Sequence, residues 1–253
     1  MGSPGYYTPL TVNATLAGRR VVMDDKKDTR DRPIPVSSVI RATLCPMRFF
    51  LDTKSGEPRK ESHAYTICKQ ISTHLGSTLD PREIWNEISA IIPDADTRSY
   101  EYMESCIARC NEGGPWRPFT DADVYFQSEK HGLTGNIDKM HEDEPFFSIM
   151  RAVPAPPSGV FTSDRLRVFG YMLLLNEQSV MDVRGGLVEY IPSGIARYCI
   201  PRPIDKRRFF RALHDARDIL SGDTPPKPHG IKCRECESLE SCRPAGRRLS
   251  DIL

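Results

Sequence analysis

Leu133-Thr-Gly-Asn-Ile-Asp-Lys-Met140 is predicted to form the second of three consecutive strands, because turn signals flank it and its composition suits a strand. The first strand is predicted at Asp123-Val-Tyr-Phe-Gln-Ser128, and His131-Gly132 marks the turn between the two. The third is predicted at Pro145-Phe-Phe-Ser-Ile-Met-Arg151. Together with the helical patterns on either side, these strands predict an α/β fold with a sheet covered by helices.

Helical patterns surround the strand region. The clearest begins at Asp80-Pro81, where aspartate can cap the helix and proline suits its first position, and Ile84, Ile88 and Ile91 follow at helical spacing. Ser163-Asp164 offers the N-cap of another helix. Further helices are predicted at residues 37–42, 62–75, 96–111, 163–177 and 205–220, and a β-hairpin at residues 186–200.

Composition favours a soluble globular protein. Of the 253 residues 39% are hydrophobic, and the longest apolar run, Tyr171-Met-Leu-Leu-Leu175, is too short to span a bilayer. The chain does not begin with a basic segment followed by an apolar stretch, so the expected location is the cytoplasm, with no membrane partner. A single domain is predicted over residues 35–245, between a loosely ordered leader at 1–34 and a tail at 246–253.

Charge assigns no ligand by itself. The net charge is +1, from 35 basic and 34 acidic side chains, so any binding of nucleic acid would depend on local patches. One patch is Asp205-Lys-Arg-Arg208 with Arg211, and a second is formed by Arg243, Arg247 and Arg248. Taken singly, each patch is better explained as a solvated helix face or a solvated terminus.

Three cysteines near the C-terminus indicate a metal or cluster site. Cys233, Cys236 and Cys242 are one ligand short of a closed tetrahedral site or a cubane cluster. Cys45, followed by Pro46, can complete the set only if the fold brings the two ends of the chain together. Thiolate sulfur suits iron–sulfur clusters and zinc alike. The other four cysteines are expected to be small buried hydrophobes: Cys68, Cys106, Cys110 and Cys199.

These motifs together resemble the RecB-like exonuclease family associated with CRISPR systems, of the PD-(D/E)XK fold. The resemblance covers roughly residues 35–245 and rests on five motifs: Cys45-Pro-Met-Arg-Phe-Phe-Leu51, Gly135-Asn-Ile-Asp138, Gly170-Tyr171, Tyr190-Ile-Pro-Ser-Gly194 and Cys233-x2-Cys236-x5-Cys242. It implies a mixed central sheet flanked by helices and a [4Fe–4S] cluster held by Cys45 and the three C-terminal cysteines. It also implies metal-dependent cutting of DNA ends and partners in CRISPR spacer acquisition, as part of antiviral defence.

The resemblance also places a nuclease site, which departs from the family pattern. His74, Asp138 and Tyr171 match a supporting histidine, the metal-binding aspartate and a helix tyrosine, so His74 and Asp138 are the candidate Mg²⁺ or Mn²⁺ ligands. The Glu-x-Lys motif is missing, because Ile149 and Arg151 occupy its positions. A matching glutamine is replaced by Arg167. The two arginines are expected to face the old site together, where guanidinium groups suit a phosphate better than a metal.

Three functional hypotheses follow. The first is a DNA-binding iron–sulfur protein whose remnant site, formed by His74, Asp138, Arg151 and Tyr171, cuts poorly or not at all. The second is a working exonuclease that recruits Glu142 or Glu144 to an altered metal shell. The third is a non-catalytic assembly protein that uses the cluster as a staple. Zinc is the alternative occupant of the cysteine site.

Overall fold

A computed structural model describes residues 32–56, 61–114, 116–178, 182–226, 233, 236 and 238–242 of the chain. Most of the predicted leader and the whole predicted tail at 246–253 lie outside the described residues. The basic patch of Arg243, Arg247 and Arg248 also lies outside them. In the part of the chain that is described, no helix is long and apolar enough to cross a membrane.

The helices begin where the sequence offers caps. Ser62 Oγ accepts a hydrogen bond from the Tyr65 N–H, and Asp80 Oδ1 accepts one from the Arg82 N–H at 2.8 Å. The described helices are α1 (Val36–Leu44), α2 (Pro46–Ser55), α3 (His63–His74), α4 (Pro81–Ile91), α5 (Thr97–Gly113), α6 (Thr162–Gln178), α7 (Pro203–Leu220) and α8 (Leu239–Cys242). Helix α2, which the sequence pattern did not predict, begins at Pro46 with Cys45 as its N-cap.

Six strands of the described chain form one mixed sheet. They are β1 (Ile34–Pro35), β2 (Asp121–Ser128), β3 (Leu133–Met140), β4 (Phe147–Arg151), β5 (Gly186–Tyr190) and β6 (Ile195–Cys199). The order is β1-β3-β4-β5-β6, and β2 also pairs with β3. The β1–β3 and β4–β5 pairs are parallel and the others antiparallel. The predicted mixed sheet and the predicted hairpin of β5 and β6 are confirmed.

Two different strands, β1 and β4, share one edge of β3. The gap between them, called here the split of the sheet, is where the candidate site lies. Strand β2 pairs with β3 from Leu133 to Ile137 and again at Lys139 and Met140. The opposite edge of β3 is shared, because β1 pairs only with its first two residues and β4 only with its last two. Residues 135–138 therefore have no strand partner on that edge among the described pairings. Asp138 lies where β4 and β3 diverge.

Apolar side chains cover both faces of the sheet. One core joins the sheet to α1, α6 and α7 through residues such as Val36, Ile149 and Phe209, and the other joins it to α3, α4 and α5 through residues such as Ile84 and Met150. The four cysteines predicted to be buried hydrophobes are all buried.

The prediction that Asp164 caps α6 is wrong. Its side chain is fully buried, and its Oδ2 accepts a hydrogen bond from the Tyr190 hydroxyl at 2.7 Å. The carboxylate is therefore a partner for other buried polar groups, and the sequence pattern could not distinguish that role from a helix cap.

Candidate functional site

Asp138 is held at the split of the sheet by a backbone contact from β4. The pairs Lys139–Ser148 and Met140–Phe147 set a register in which Asp138 would next face Ile149. Instead the Met150 N–H donates to Asp138 Oδ2 at 2.9 Å. A carboxylate oxygen thus takes the place of a backbone carbonyl as the acceptor. Ile149 is fully buried in the apolar core. The register thus puts an isoleucine beside the aspartate, where it offers no oxygen to a metal.

A lysine that the sequence reasoning missed occupies the other oxygen of Asp138. Lys69, on α3, places its Nζ 2.7 Å from Asp138 Oδ1 and also donates to Asp123. Asp123 lies opposite Asp138 in the β2–β3 hairpin, since Ala122 pairs with Lys139 and Val124 with Ile137. One ammonium therefore bridges two carboxylates from adjacent strands.

Asp123 adopts an unusual backbone conformation. Its φ of 55° lies in the left-handed region, which costs free energy for a residue with a Cβ, although aspartate tolerates it better than most. Among the described residues, it is the non-glycine residue with positive φ. Local strain is thus concentrated at the residue that faces Asp138.

The electrostatics keep Lys69 charged. Burial alone would lower the pKa of Lys69, but the charge of Asp138 and the hydrogen bonds to Asp123 and Asp138 outweigh burial and raise that pKa. The ammonium is therefore protonated at neutral pH and behaves as a fixed cation between the two carboxylates.

Arg167 and two tyrosines complete the surroundings of Asp138. The Tyr171 ring lies against Gly135, where an added Cβ would come within 2.7 Å of Tyr171 Cε1. Burial raises the pKa of Tyr171, while the positive charge and hydrogen bond of Arg167 oppose that rise. Burial and then the charge of Asp138 raise the pKa of Tyr65. The structure therefore brings Asp138, Tyr171 and Arg167 into one electrostatic neighbourhood.

Arg151 is engaged elsewhere. Its Nε lies 2.7 Å from Asp164 Oδ1, and Asp164 is fully buried. Within the described residues, no hydrogen bond or ion pair joins Arg151 to Asp138. The prediction was that Arg151 and Arg167 both face the old nuclease site. The contact that the structure gives Arg151 is instead with the buried carboxylate of Asp164.

His74 also lies apart from Asp138. Its Nε2 is 2.7 Å from Glu87 Oε2 on α4, and Gln70 donates to the same carboxylate oxygen. Five residues separate His74 from Lys69, which at 100° per residue places the two side chains on different faces of α3. The hydrogen bond from His74 lowers the pKa of Glu87. The histidine thus joins α3 to α4.

The acidic turn before β4 does not reach the site. Residues 142–144 are all exposed. The Tyr198 hydroxyl donates to Glu144 Oε1 at 3.1 Å, and Arg117 donates to the carbonyl oxygens of Asp143 and Glu144. The carboxylate that the structure brings to Asp138 is Asp123. It could have been found from the sequence, because a tight turn after Ser128 fixes the register that pairs the two aspartates.

The residues around Asp138 do not fit a hard divalent cation. Mg²⁺ and Mn²⁺ need several oxygen ligands, but one oxygen of Asp138 is bound to Lys69, the other to the Met150 N–H, and Ile149 stands beside it. Across the described ranges, no group of three or more His, Cys, Asp or Glu side chains is arranged to hold a metal ion.

Two of the four predicted cluster ligands, Cys45 and Cys242, lie in one region, although no three cysteines among the described residues are arranged to hold a metal. Cys45 Sγ accepts a hydrogen bond from the Arg48 N–H at 3.4 Å, at the start of α2. Cys45 and Cys242 both pack against one apolar cluster formed by Ala42, Met47, Phe49, Phe50, Ala216 and Ile219. Helix α8, which carries Cys242, contacts α2. The segments that carry Cys45 and Cys242 therefore lie close together.

Comparison with known proteins supports the fold. Among solved structures, the chain is similar to the crystal structure of "Putative exonuclease" from Eubacterium rectale, with a TM-score of 0.57, 12% sequence identity and coverage of 93% of this chain and 98% of that chain. No sequence-family model and no curated protein matches the chain. The similarity shows that the chain has the same α/β fold as that protein.

Proposed function

We propose that this protein binds nucleic acid through a nuclease-like fold without metal-dependent cleavage, because a lysine takes the place of the cation. One observation carries the proposal: Lys69 Nζ bridges Asp138 and Asp123 at the split of the sheet. A tethered ammonium neutralises the carboxylates, but it cannot activate water as a bound metal ion does. The absence of a carboxylate at Ile149 supports the same conclusion.

Arg167 is the residue proposed to contact a phosphate at this site. Its buried Nε has no hydrogen-bond partner among the described residues, although the guanidinium lies beside Tyr171. A guanidinium has five donors in a planar fork that matches phosphate oxygens. Arg167 as a whole is only partly buried, so the outer nitrogens of its guanidinium are the donors that a nucleic-acid phosphate would contact.

The test combines cleavage and binding on one preparation. With Mg²⁺ or Mn²⁺, we expect no more cleavage of single- or double-stranded DNA than Asp138→Ala gives, and we expect Arg167→Gln to weaken DNA binding measured by anisotropy. Arg98→Gln, on the exposed surface of α5, is the matched control. Strong Mn²⁺-dependent cleavage that Asp138→Ala abolishes would overturn the proposal. Failure to bind DNA even at low salt would favour an assembly protein instead.

The proposal includes a cluster held by Cys45, Cys233, Cys236 and Cys242. When bound, a [4Fe–4S] cluster would supply four thiolate links between the first and last described segments of the domain. Anaerobic purification should yield about four irons per chain with matching sulfide. About one zinc per chain would identify a structural zinc site instead. We also propose association with CRISPR spacer-acquisition proteins, which is supported by the sequence resemblance.

A second candidate function is supported by Asp123. A metal-dependent exonuclease could use Asp123 and Asp138 as its two carboxylates if Lys69 moved away on substrate binding. In that case Asp123→Asn should abolish cleavage while DNA binding persists. Cleavage that is absent in the unmodified protein, or that survives Asp123→Asn, would rule out this candidate.

A further inference from the structure

The exposed face of α7 carries a concentration of positive charge. Lys206, Arg207, Arg208 and Arg211 are all exposed. Asp205, the acidic residue of the first turn, cannot neutralise them because it is fully buried and its Oδ2 is bound to Arg165 Nε at 3.1 Å and to the Arg202 N–H at 3.0 Å. In the described part of the chain, no carboxylate pairs with any of the three exposed arginines.

This charge is unfavourable for the helix itself. Arg207 and Arg211 are four residues apart and therefore adjacent on the helix surface, where like charges destabilise a helix. Lys206, in the first turn of α7, also opposes the helix dipole. The C-terminal half of α7 differs, since His214 Nδ1 lies 2.8 Å from Asp218 Oδ2. These like charges weaken the helix, and no carboxylate among the described residues pairs with the arginines. Such an arrangement is expected where another molecule binds.

An aromatic ring lies among these cations. Phe210 follows Lys206 by four residues and Arg207 by three, so the three side chains are neighbours on the helix surface. The Phe210 side chain is 43% exposed. Its ring is also fixed from within the protein, by T-shaped contacts with Phe169 and Phe209 at centroid distances of 5.7 and 6.1 Å and by His131 at 6.0 Å. It is a rigid, partly exposed aromatic surface.

We infer that the exposed face of α7 binds single-stranded nucleic acid, with the arginines and Lys206 on phosphates and Phe210 stacked on an unpaired base. Clustered cations supply the electrostatic attraction to the backbone, and an aromatic ring between them offers a stacking surface that a duplex, whose bases are already stacked, cannot use. An acidic protein would satisfy the cations but would not need the ring. The inference goes beyond the proposed function, because the surface contains no residue of the Asp138 site.

The test measures the salt dependence of binding to a fluorescein-labelled oligothymidylate with the full-length protein. The triple variant Arg207→Gln/Arg208→Gln/Arg211→Gln should bind at least tenfold more weakly than the unmodified protein. Its slope of log K against log salt should be smaller by about 2, since each lost phosphate contact on a single strand contributes about 0.7. The matched control, Arg82→Gln/Arg98→Gln/Arg109→Gln, removes the same charge from α4 and α5 and should leave the slope unchanged.

The stacking role has its own variants. Phe210→Ala should weaken oligothymidylate binding about fivefold to tenfold with an unchanged salt slope, and Phe210→Tyr should restore it. Equal effects of the α7 triple variant and its control would overturn the inference, as would polyglutamate displacing the oligonucleotide at an equal charge concentration. Circular dichroism confirms that each variant is folded. If Arg167→Gln alone loses binding, the Asp138 site binds DNA and the α7 surface does not, so the two proposals fail separately.

Discussion

Two lysine–carboxylate contacts lie on consecutive residues of β3, yet they differ in access to solvent. Lys139 Nζ is 2.8 Å from Glu189 Oε2, and both side chains are 1% exposed. Asp138 Oδ1 is 2.7 Å from Lys69 Nζ, with side chains 17% and 23% exposed. Both contacts lie beneath α3, because Lys69 and Ser72 are one turn apart and Ser72 Oγ donates to Glu189.

The difference shows that the same chemistry serves two purposes on one strand. The buried pair is enclosed by protein and can act only on stability. The open contact includes a third, more exposed group, Asp123, whose side chain is 55% exposed and whose backbone is strained. Strain and access together indicate a functional site, whereas burial and complete pairing indicate a structural one.

The largest expected effect comes from breaking the buried pair. Glu189→Ala leaves the Lys139 ammonium buried without its counter-charge, so we expect the free energy of unfolding to fall by about 3–5 kcal/mol. Chemical denaturation measures the change. The double variant Lys139→Met/Glu189→Leu should recover most of this loss, since it removes both charges. A loss below about 1 kcal/mol for Glu189→Ala would show that this pair resembles a surface contact.

The next effect comes from removing the lysine of the open contact. Lys69→Met should lower the free energy of unfolding by only about 1–2 kcal/mol, because solvent screens the two carboxylates it leaves. It should also create weak binding of Mn²⁺ between Asp138 and Asp123, seen as a rise in Tm of about 2 °C at millimolar Mn²⁺.

Lys69→Arg is the control for that experiment, because it keeps a cation between the carboxylates and should show no response to Mn²⁺. An unmodified protein whose Tm rises with Mn²⁺ as much as that of Lys69→Met would contradict the idea that Lys69 takes the cation's place.

The contact between Asp138 and Lys69 contains one residue that the sequence could predict and one that it could not. Strand lengths, the turn at His131-Gly132 and the position of Asp138 follow from local patterns. The alignment that put Ile149 at the glutamate position stays a prediction, although extending the β3–β4 register by one residue sets Ile149 opposite Asp138. Lys69 could not be predicted, since its distance to Asp138 depends on how α3 packs on the sheet. His74 looked equivalent in sequence, but the rotation along α3 directs it to Glu87.

The strained backbone of Asp123 predicts a smaller effect on the free energy of unfolding. Glycine tolerates a φ of 55° without cost, so Asp123→Gly should be about 1 kcal/mol more stable than Asp123→Ala. Both variants lose the same carboxylate, so the difference in their free energies of unfolding reports the strain less the extra conformational entropy that glycine gives the unfolded chain. Equal stability would mean that the left-handed conformation relaxes when the contact with Lys69 is lost.

The smallest effect concerns His141, which follows β3 at the buried end. Its Nδ1–H donates to the Pro118 carbonyl at 2.7 Å, while its buried Nε2 has no hydrogen-bond partner among the described residues. Burial lowers the pKa of His141 below its usual 6.5, against an opposing contribution from the Pro118 carbonyl. The unfolded chain therefore binds a proton at a higher pH than the folded protein does. The stability that depends on neutral His141 is present above pH 6.5 and is lost as the pH falls toward the folded pKa.

His141→Gln should flatten this decline in a series of denaturation curves measured at decreasing pH. His131→Gln is the comparison, because burial also lowers the pKa of His131. If only His131→Gln flattens the decline of stability, then the Nε2 of His141 finds an acceptor when it is protonated. The end of β3 at His141 would then be more open to solvent than the buried Lys139–Glu189 pair indicates.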